Sequence, residues 1–368
     1  MSRKDESPAA VGAGSATPAV PSTSPIEGTV MDGSRGQYWV DTSEGTLLCT
    51  LRGRLRKELL YAANPHLRHK VRRANVKARD PLAVGDRVRV IPMGGGRGMV
   101  DQILAREGGA FTRDAVDGTR LAGEVTTVAG IDQLVAVFAA REPEPHLGLL
   151  DRFLVLAGAQ ELDAVICLNK VDLGIEPALA TRLEVYRQLG YPVLLTSASS
   201  GEGLEALRRR LAGRISALLG PSGVGKSSLL NALEPGLGQR VSEISRATGK
   251  GRHTTSSSRL VTLAGPGGGA LADTAGIRTL ALGSVAAGRL DWCFREFRPH
   301  LGRCRLRDCS HRHEPGCAVQ SAIRSGDLDQ TRYASYCRLY DEGAAEGGRA
   351  WSDLVSSRSL SGEGEFRL

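Results

Sequence analysis

The sequence predicts a multidomain protein: a small N-terminal β-barrel, a central α/β domain around a parallel sheet, and a C-terminal, mainly helical module held by a metal. Three observations predict it. Short strands separated by glycine turns fill residues 28–112, and apolar strands alternate with helices from about Thr126 onward. Three cysteines and a histidine then cluster between Cys304 and Cys317. The expected boundaries are a disordered extension over 1–27, the barrel over 28–112, the α/β domain over 125–285, the metal module over 286–345 and a flexible tail over 346–368. A chain of 368 residues is long enough for such a division.

Composition narrows the class. With 41% hydrophobic and 24% charged residues the chain reads as a folded globular protein. No apolar run approaches the roughly 18 residues a membrane span needs, and the N-terminus lacks the apolar core of a secretory signal. A cytoplasmic protein with no membrane partner is expected, and a monomer. Seven cysteines are an odd number, which argues against a disulfide framework. In a reducing compartment their clustering favours a metal.

Residues 1–27 are rich in Pro, Ala, Ser and Gly and nearly free of large apolar side chains, hence the expected disorder. Gln37–Val40, Leu47–Leu51 and Asp86–Val90 are the clearest strands of the barrel. Arg87–Val90 alternates apolar and basic residues, as does Arg52–Arg56, so each is expected to bury one face and offer arginines on the other. Between Leu51 and Val90 lie twelve Lys/Arg and only three acids, so this stretch alone accounts for the net charge of +8. Charge concentrated in one segment is the footprint of a polyanion partner. Size, strand pattern and charge fit an oligonucleotide-binding (OB) barrel. Because aromatics are few, backbone charge rather than base stacking is expected to dominate its contacts.

In the α/β region, Leu134–Phe138, Ala164–Leu168, Val193–Leu195, Ile215–Leu219, Leu260–Leu263 and Ala270–Ala272 read as strands. Pro177–Leu189, Gly203–Leu211 and Lys226–Leu233 read as helices. After the fourth strand comes Gly220-Pro221-Ser222-Gly223-Val224-Gly225-Lys226-Ser227-Ser228, a GxxxxGK[ST] phosphate loop in its required strand–loop–helix setting. The glycines let backbone N–H groups wrap phosphate oxygens, and the helix N-terminus adds positive charge. Lys226 is expected to reach the β/γ-phosphates and Ser227 to ligate Mg2+.

Asn169-Lys170-Val171-Asp172 follows another strand, at the edge where open α/β sheets bind ligands. A carboxylate at Asp172 accepts from guanine N1–H and the exocyclic amine, a pairing adenine does not offer. Thr196-Ser197-Ala198, after a third strand, is expected to back the base. Asp273-Thr274-Ala275-Gly276 supplies an aspartate for Mg2+ and an N–H, at Gly276, for the γ-phosphate. The polar run Gly249–Thr255 brings Thr254 or Thr255 to Mg2+, with Thr255 the assigned ligand. Where many GTPases place a water-orienting Gln after DxxG this chain has Ile277, so His253 is the candidate catalytic group beside Lys226. The order of these elements is rotated: the NKxD element precedes the phosphate loop.

Cys304, Cys309, His311 and Cys317 supply three thiolates and an imidazole, the donor set of one closed, structural zinc site. Four protein ligands leave no position for a catalytic water. His313 is the alternative nitrogen, and Cys293 and Cys337 are expected to be buried thiols. Zinc would add folding energy to a segment with little core of its own.

Together these elements resemble the RsgA (YjeQ) family of circularly permuted GTPases. The resemblance also rests on Cys49–Arg54, Val84–Val88, Leu150–Leu154 and Gly251–Thr255, and runs from about residue 28 to 340. It implies an OB barrel, a permuted GTPase domain and a zinc-binding domain. It further implies low intrinsic GTPase activity, stimulated by the small (30S) ribosomal subunit and its rRNA during late maturation, and release of the factor after hydrolysis. It assigns the catalytic role to the histidine that stands here as His253. One departure is Gly130, where the family favours Asn. Two other readings are an RNA-binding assembly module in which GTP only sets conformation, supported by Ile277, and a zinc-delivering GTPase, which a closed site disfavours.

Overall fold

The computed structural model describes residues 24–34, 36–55, 82–105, 108–114, 124–236, 260–264, 268–272 and 290–345. Strands β1 (Ile26–Ser34), β2 (Gln37–Thr42), β3 (Gly45–Leu51), β4 (Arg87–Gly94) and β5 (Arg97–Ile103) close a barrel in the order β1-β2-β3-β5-β4. Its interior is Val30, Tyr38, Val40, Cys49, Leu82, Val88, Val90 and Val100. In β4 the alternation holds, with Val88 and Val90 buried and Arg87 exposed.

Two expectations need correction here. The alternation in Arg52–Arg56 does not continue a strand: β3 ends at Leu51 and residues 53–55 take a helical turn. Gly53 has no side chain to pack on a sheet, and the turn carries Leu55 back onto the barrel core. At the other end, β1 begins inside the stretch expected to be disordered, because Ile26 pairs with Val90 and Glu27 with Arg89.

A hairpin, β6 (Gly109–Asp114) with β7 (Glu124–Ile131), leads into the α/β domain. Within it Gly130 has φ +66°, the left-handed region that glycine and asparagine enter most readily. The departure at this position therefore exchanges the two residues best suited to one backbone shape.

The central sheet has the order β10-β9-β8-β11-β13-β12. Its strands are β8 (Gln133–Ala139), β9 (Asp163–Asn169), β10 (Val193–Leu195), β11 (Ile215–Leu219), β12 (Leu260–Thr262) and β13 (Ala270–Ala272). All pairings are parallel except β12 with β13. Successive residues of β8 serve opposite faces. Leu134, Ala136 and Phe138 pack in one core layer, and Val135, Val137 and Ala139 in the other. The first layer is covered by α1 (Leu147–Ala159) and α2 (Pro177–Gln188), the second by α3 (Leu204–Leu211) and α4 (Lys226–Leu233). Helix α1 is absent from the sequence reading. Its mostly apolar sequence, buried over Leu154–Ala157, hides the polar–apolar period of a surface helix.

The C-terminal module comprises α5 (Leu290–Cys293), the 3-10 turn Arg295–His300, the Cys/His loop, α6 (Ala318–Ser325) and α7 (Gln330–Ala345). Phe294 and Phe297 stack, Tyr336 meets both edge-on, all with centroids 5.0–5.4 Å apart, and they join the same apolar cluster as α1 and α2. The module thus extends the α/β core. Cys293 is buried, whereas Cys337 is only half-buried. At the join, Arg332 of α7 is 1% exposed and bonds Asp151 of α1 and Glu296, while Tyr186 of α2 donates to Asp151 at 2.7 Å. Arg182 of α2 grips Asp329 through both terminal nitrogens, and Arg152 of α1 meets Glu342. Among the described residues no helix is long and apolar enough to cross a membrane.

Candidate functional site

The parallel pairing brings the C-terminal ends of β8, β9, β10 and β11 to one edge of the sheet. The phosphate loop leaves β11 there and enters α4, whose first residue is Lys226. Gly225 caps that helix at φ +89°, and a Cβ on it would lie 2.4 Å from Asn169 Nδ2, so the position requires glycine for both backbone and space. Lys226 Nζ donates to the carbonyls of Gly220 and Pro221 at 2.7 and 2.8 Å, which holds the ammonium inside the curl of the loop. Val224 is buried and anchors the loop, while Ser222, Gly223, Ser227 and Ser228 face solvent at its mouth.

Asn169 is the last residue of β9 and 1% exposed. Its Nδ2 donates to Val224 O at 2.9 Å, and its Oδ1 accepts from the Ala198 N–H at 3.2 Å. One side chain thus ties the Asn169–Asp172 element to the Gly220–Ser228 loop and to the loop after β10. Lys170 takes a left-handed backbone (φ +60°), and its ammonium donates to Glu142 O. The next residues, Val171–Leu173, form a 3-10 turn that presents Asp172.

Asp172 Oδ1 accepts from Ser197 Oγ at 2.6 Å and Oδ2 from Ser199 Oγ at 2.9 Å. These donations, Ser197's first, hold the carboxyl below the ordinary aspartate range. Ser197 is buried, and its Oγ also accepts from the Ser200 N–H. Ser199 is missing from the sequence reading; a fourth small residue in a Thr-Ser-Ala-Ser-Ser run carries no spacing signal. Asn169, Lys170, Asp172, Ser197, Ala198 and residues 220–228 are therefore brought to one sheet edge. His253, Thr254, Thr255, Asp273, Gly276 and Ile277 lie outside the described residues, as do the basic side chains from Arg56 to Arg79.

The second constellation is in the C-terminal module. The Sγ atoms of Cys304, Cys309 and Cys317 and a ring nitrogen of His311 all lie within 4.8 Å of one another. His311 Nδ1 is 3.4 Å from Cys304 Sγ and 3.5 Å from Cys317 Sγ, and the two sulfurs are 3.9 Å apart. Tetrahedral zinc with ordinary bond lengths sets ligand separations of about 3.6 Å for N···S and about 3.8 Å for S···S, so these donors fit the ion. His313 is exposed and outside the cluster. Asp291 Oδ2 lies 3.4 Å from His311 Nε2, which leaves Nδ1 directed at the sulfurs. Glu314 holds the loop by accepting from the N–H groups of Ser310 and Arg312, and the Tyr333 and Tyr336 hydroxyls donate to the carbonyls of His311 and Ser310. Asp291, Glu314 and the two tyrosines are also absent from the sequence reading, since no fixed spacing relates them to the ligands.

Comparison with known proteins yields consistent matches. The model of the RsgA GTPase family matches residues 111–283. The chain is 43% identical over 323 residues to the "Small ribosomal subunit biogenesis GTPase RsgA" of Gemmatimonas aurantiaca, covering 87% of this chain and 98% of that protein. It is 39% identical over 318 residues to the protein of the same name from Moorella thermoacetica, covering 86% and 97%. Among solved structures it is similar to YjeQ from Thermotoga maritima, with TM-score 0.66 and 31% identity over 88% of this chain and 99% of that one. It is also similar to YloQ, described as a circularly permuted GTPase, with TM-score 0.64 and 27% identity over 89% and 97%.

Proposed function

The chain belongs to the RsgA family of GTPases, and on that footing we propose that it hydrolyses GTP in the course of maturing the small ribosomal subunit, with turnover stimulated by the subunit and release of the factor after hydrolysis. The observation that carries this reading is the bond from Asn169 Nδ2 to Val224 O. It joins the NKxD element to the GxxxxGKS loop although their order along the chain is rotated, which supports reading the two as one guanine-nucleotide site. In the proposed roles, Asp172 accepts from guanine, Ala198 backs the base, and the loop from Gly220 to Ser228 wraps the phosphates. Lys226 neutralises charge at the β- and γ-phosphates, and the Gly276 N–H meets the γ-phosphate. Ser227, Thr255 and Asp273 would hold Mg2+, which offsets the charge that builds on the phosphate oxygens. His253 orients the attacking water, the task Ile277 has no group to perform. Zinc on Cys304, Cys309, His311 and Cys317 is structural, since its four ligands close the coordination shell.

The partner is rRNA of the small subunit, held by the barrel and the basic stretch that follows β3. Zinc delivery finds no support in a closed site whose histidine is braced by Asp291. The deciding experiment measures GTP turnover with and without purified 30S subunits. A sharp rise on their addition is expected, and unstimulated turnover despite intact nucleotide binding would refute the subunit-dependent step.

A further inference from the structure

The outer face of the barrel carries a row of side chains that a purely charge-based view of the domain leaves without a task. Strand register sets Asp32 of β1 beside Trp39 of β2, Trp39 beside Leu48 of β3, and Leu48 beside Arg97 of β5. The residues alternating with them, Tyr38, Val40, Cys49 and Gly98, are buried, so the two-residue period turns this row outward. Trp39 is 46% exposed, and among the described residues its indole has no aromatic or cation–π partner. Arg97 is exposed and makes no ion pair among the described residues. Gln37, Thr50 and Met99 occupy the adjacent outward row.

A large indole left in water on a strand adds nothing to the barrel core, and an aromatic platform in one outward row with a cation is an arrangement that holds single-stranded nucleic acid. We propose that Trp39 stacks on an unpaired nucleobase of RNA while Arg97 meets the phosphate of the same strand. This rests on the reading that RNA is the barrel's partner. Arg97 lies on one side of Trp39 in the row, so the phosphate backbone of the strand runs on that side. A continuous duplex keeps its bases stacked on each other, so this face selects single-stranded or bulged RNA. Base stacking is then part of the barrel's binding, contrary to the expectation drawn from its scarcity of aromatics.

The test uses the full-length protein with a labelled single strand of about 12 nucleotides, within the site sizes of OB barrels, and a duplex of equal length. Trp39→Leu should weaken binding to the single strand by about tenfold or more, the usual loss of one stacked base. The salt dependence of the remaining affinity should not change, because no phosphate contact is removed. Trp39→Phe, which keeps a ring, should retain most of the affinity, and thermal melting checks that both variants fold. Single-strand affinity equal to the parent's in Trp39→Leu would overturn the proposal, as would equal losses on strand and duplex. A parent that binds neither RNA would instead overturn the RNA reading beneath it, and the proposal with it.

Discussion

Asp172 shows how two hydroxyls fix a carboxylate in place. Ser197 and Ser199 each donate to one of its oxygens, which fixes the rotamer and favours the charged form. With its acidity raised in the folded protein, Asp172 stays charged through neutral pH and loses its charge only as pH falls through that lowered value. GTP affinity should therefore be level down to the ordinary aspartate range and decline below it. In Ser199→Ala the decline should begin at higher pH, as a titration of nucleotide binding would show. Asp172→Asn replaces an acceptor by a donor opposite guanine N1–H and should weaken GTP binding by about tenfold or more; an affinity equal to the parent's would refute the base-selection assignment. NKxD and the phosphate loop were legible as residues because their chemistry depends on contiguous spacing. Ser199 was not, because its partner lies across a strand crossover.

Among the elements, α7 shows what joins the C-terminal module to the rest. Arg332 is enclosed by Asp151, Glu296 and the rings of Phe294 and Tyr186. Arg332→Met would leave two acids buried without their cation, and chemical denaturation should register a loss of about 3–5 kcal/mol. The Cys/His loop is the other joint. It is short and polar, and its Cys304 and Cys309 are only half-buried. Cys309→Ser, or removal of zinc by a chelator, should unfold the module and expose the aromatic cluster behind it; a zinc-free variant with an unchanged melting curve would contradict a structural metal. The ligands were readable from spacing, with His311 and His313 left as alternatives. Three-dimensional placement separates them, because residues two apart in a tight turn point in different directions.

At the scale of the whole molecule, the rotated order acquires a mechanical meaning. The segment that holds Asp273–Gly276 precedes the C-terminal module in the chain, yet the module pairs Asp329 with Arg182 of α2 and Arg332 with Asp151 of α1, the helices that flank the NKxD element. Covalent continuity comes from the DxxG side of the chain and packing from the NKxD side. A zinc-module position that stays constant relative to α2 between GTP- and GDP-bound forms is the expected outcome, measurable by distances between spin labels on the two elements. Independent swinging of the module would refute it. The sequence by itself determined the nucleotide motifs, the three clustered cysteines, most strands of the central sheet and the family, because each depends on residue type at short, fixed separations. Only the tertiary structure decided the closure of the barrel through its parallel β3–β5 pairing, the outward row around Trp39, and the burial of Arg332 between helices distant along the chain. Those depend on which surfaces meet, and a contact between distant segments leaves no local period or spacing in the chain.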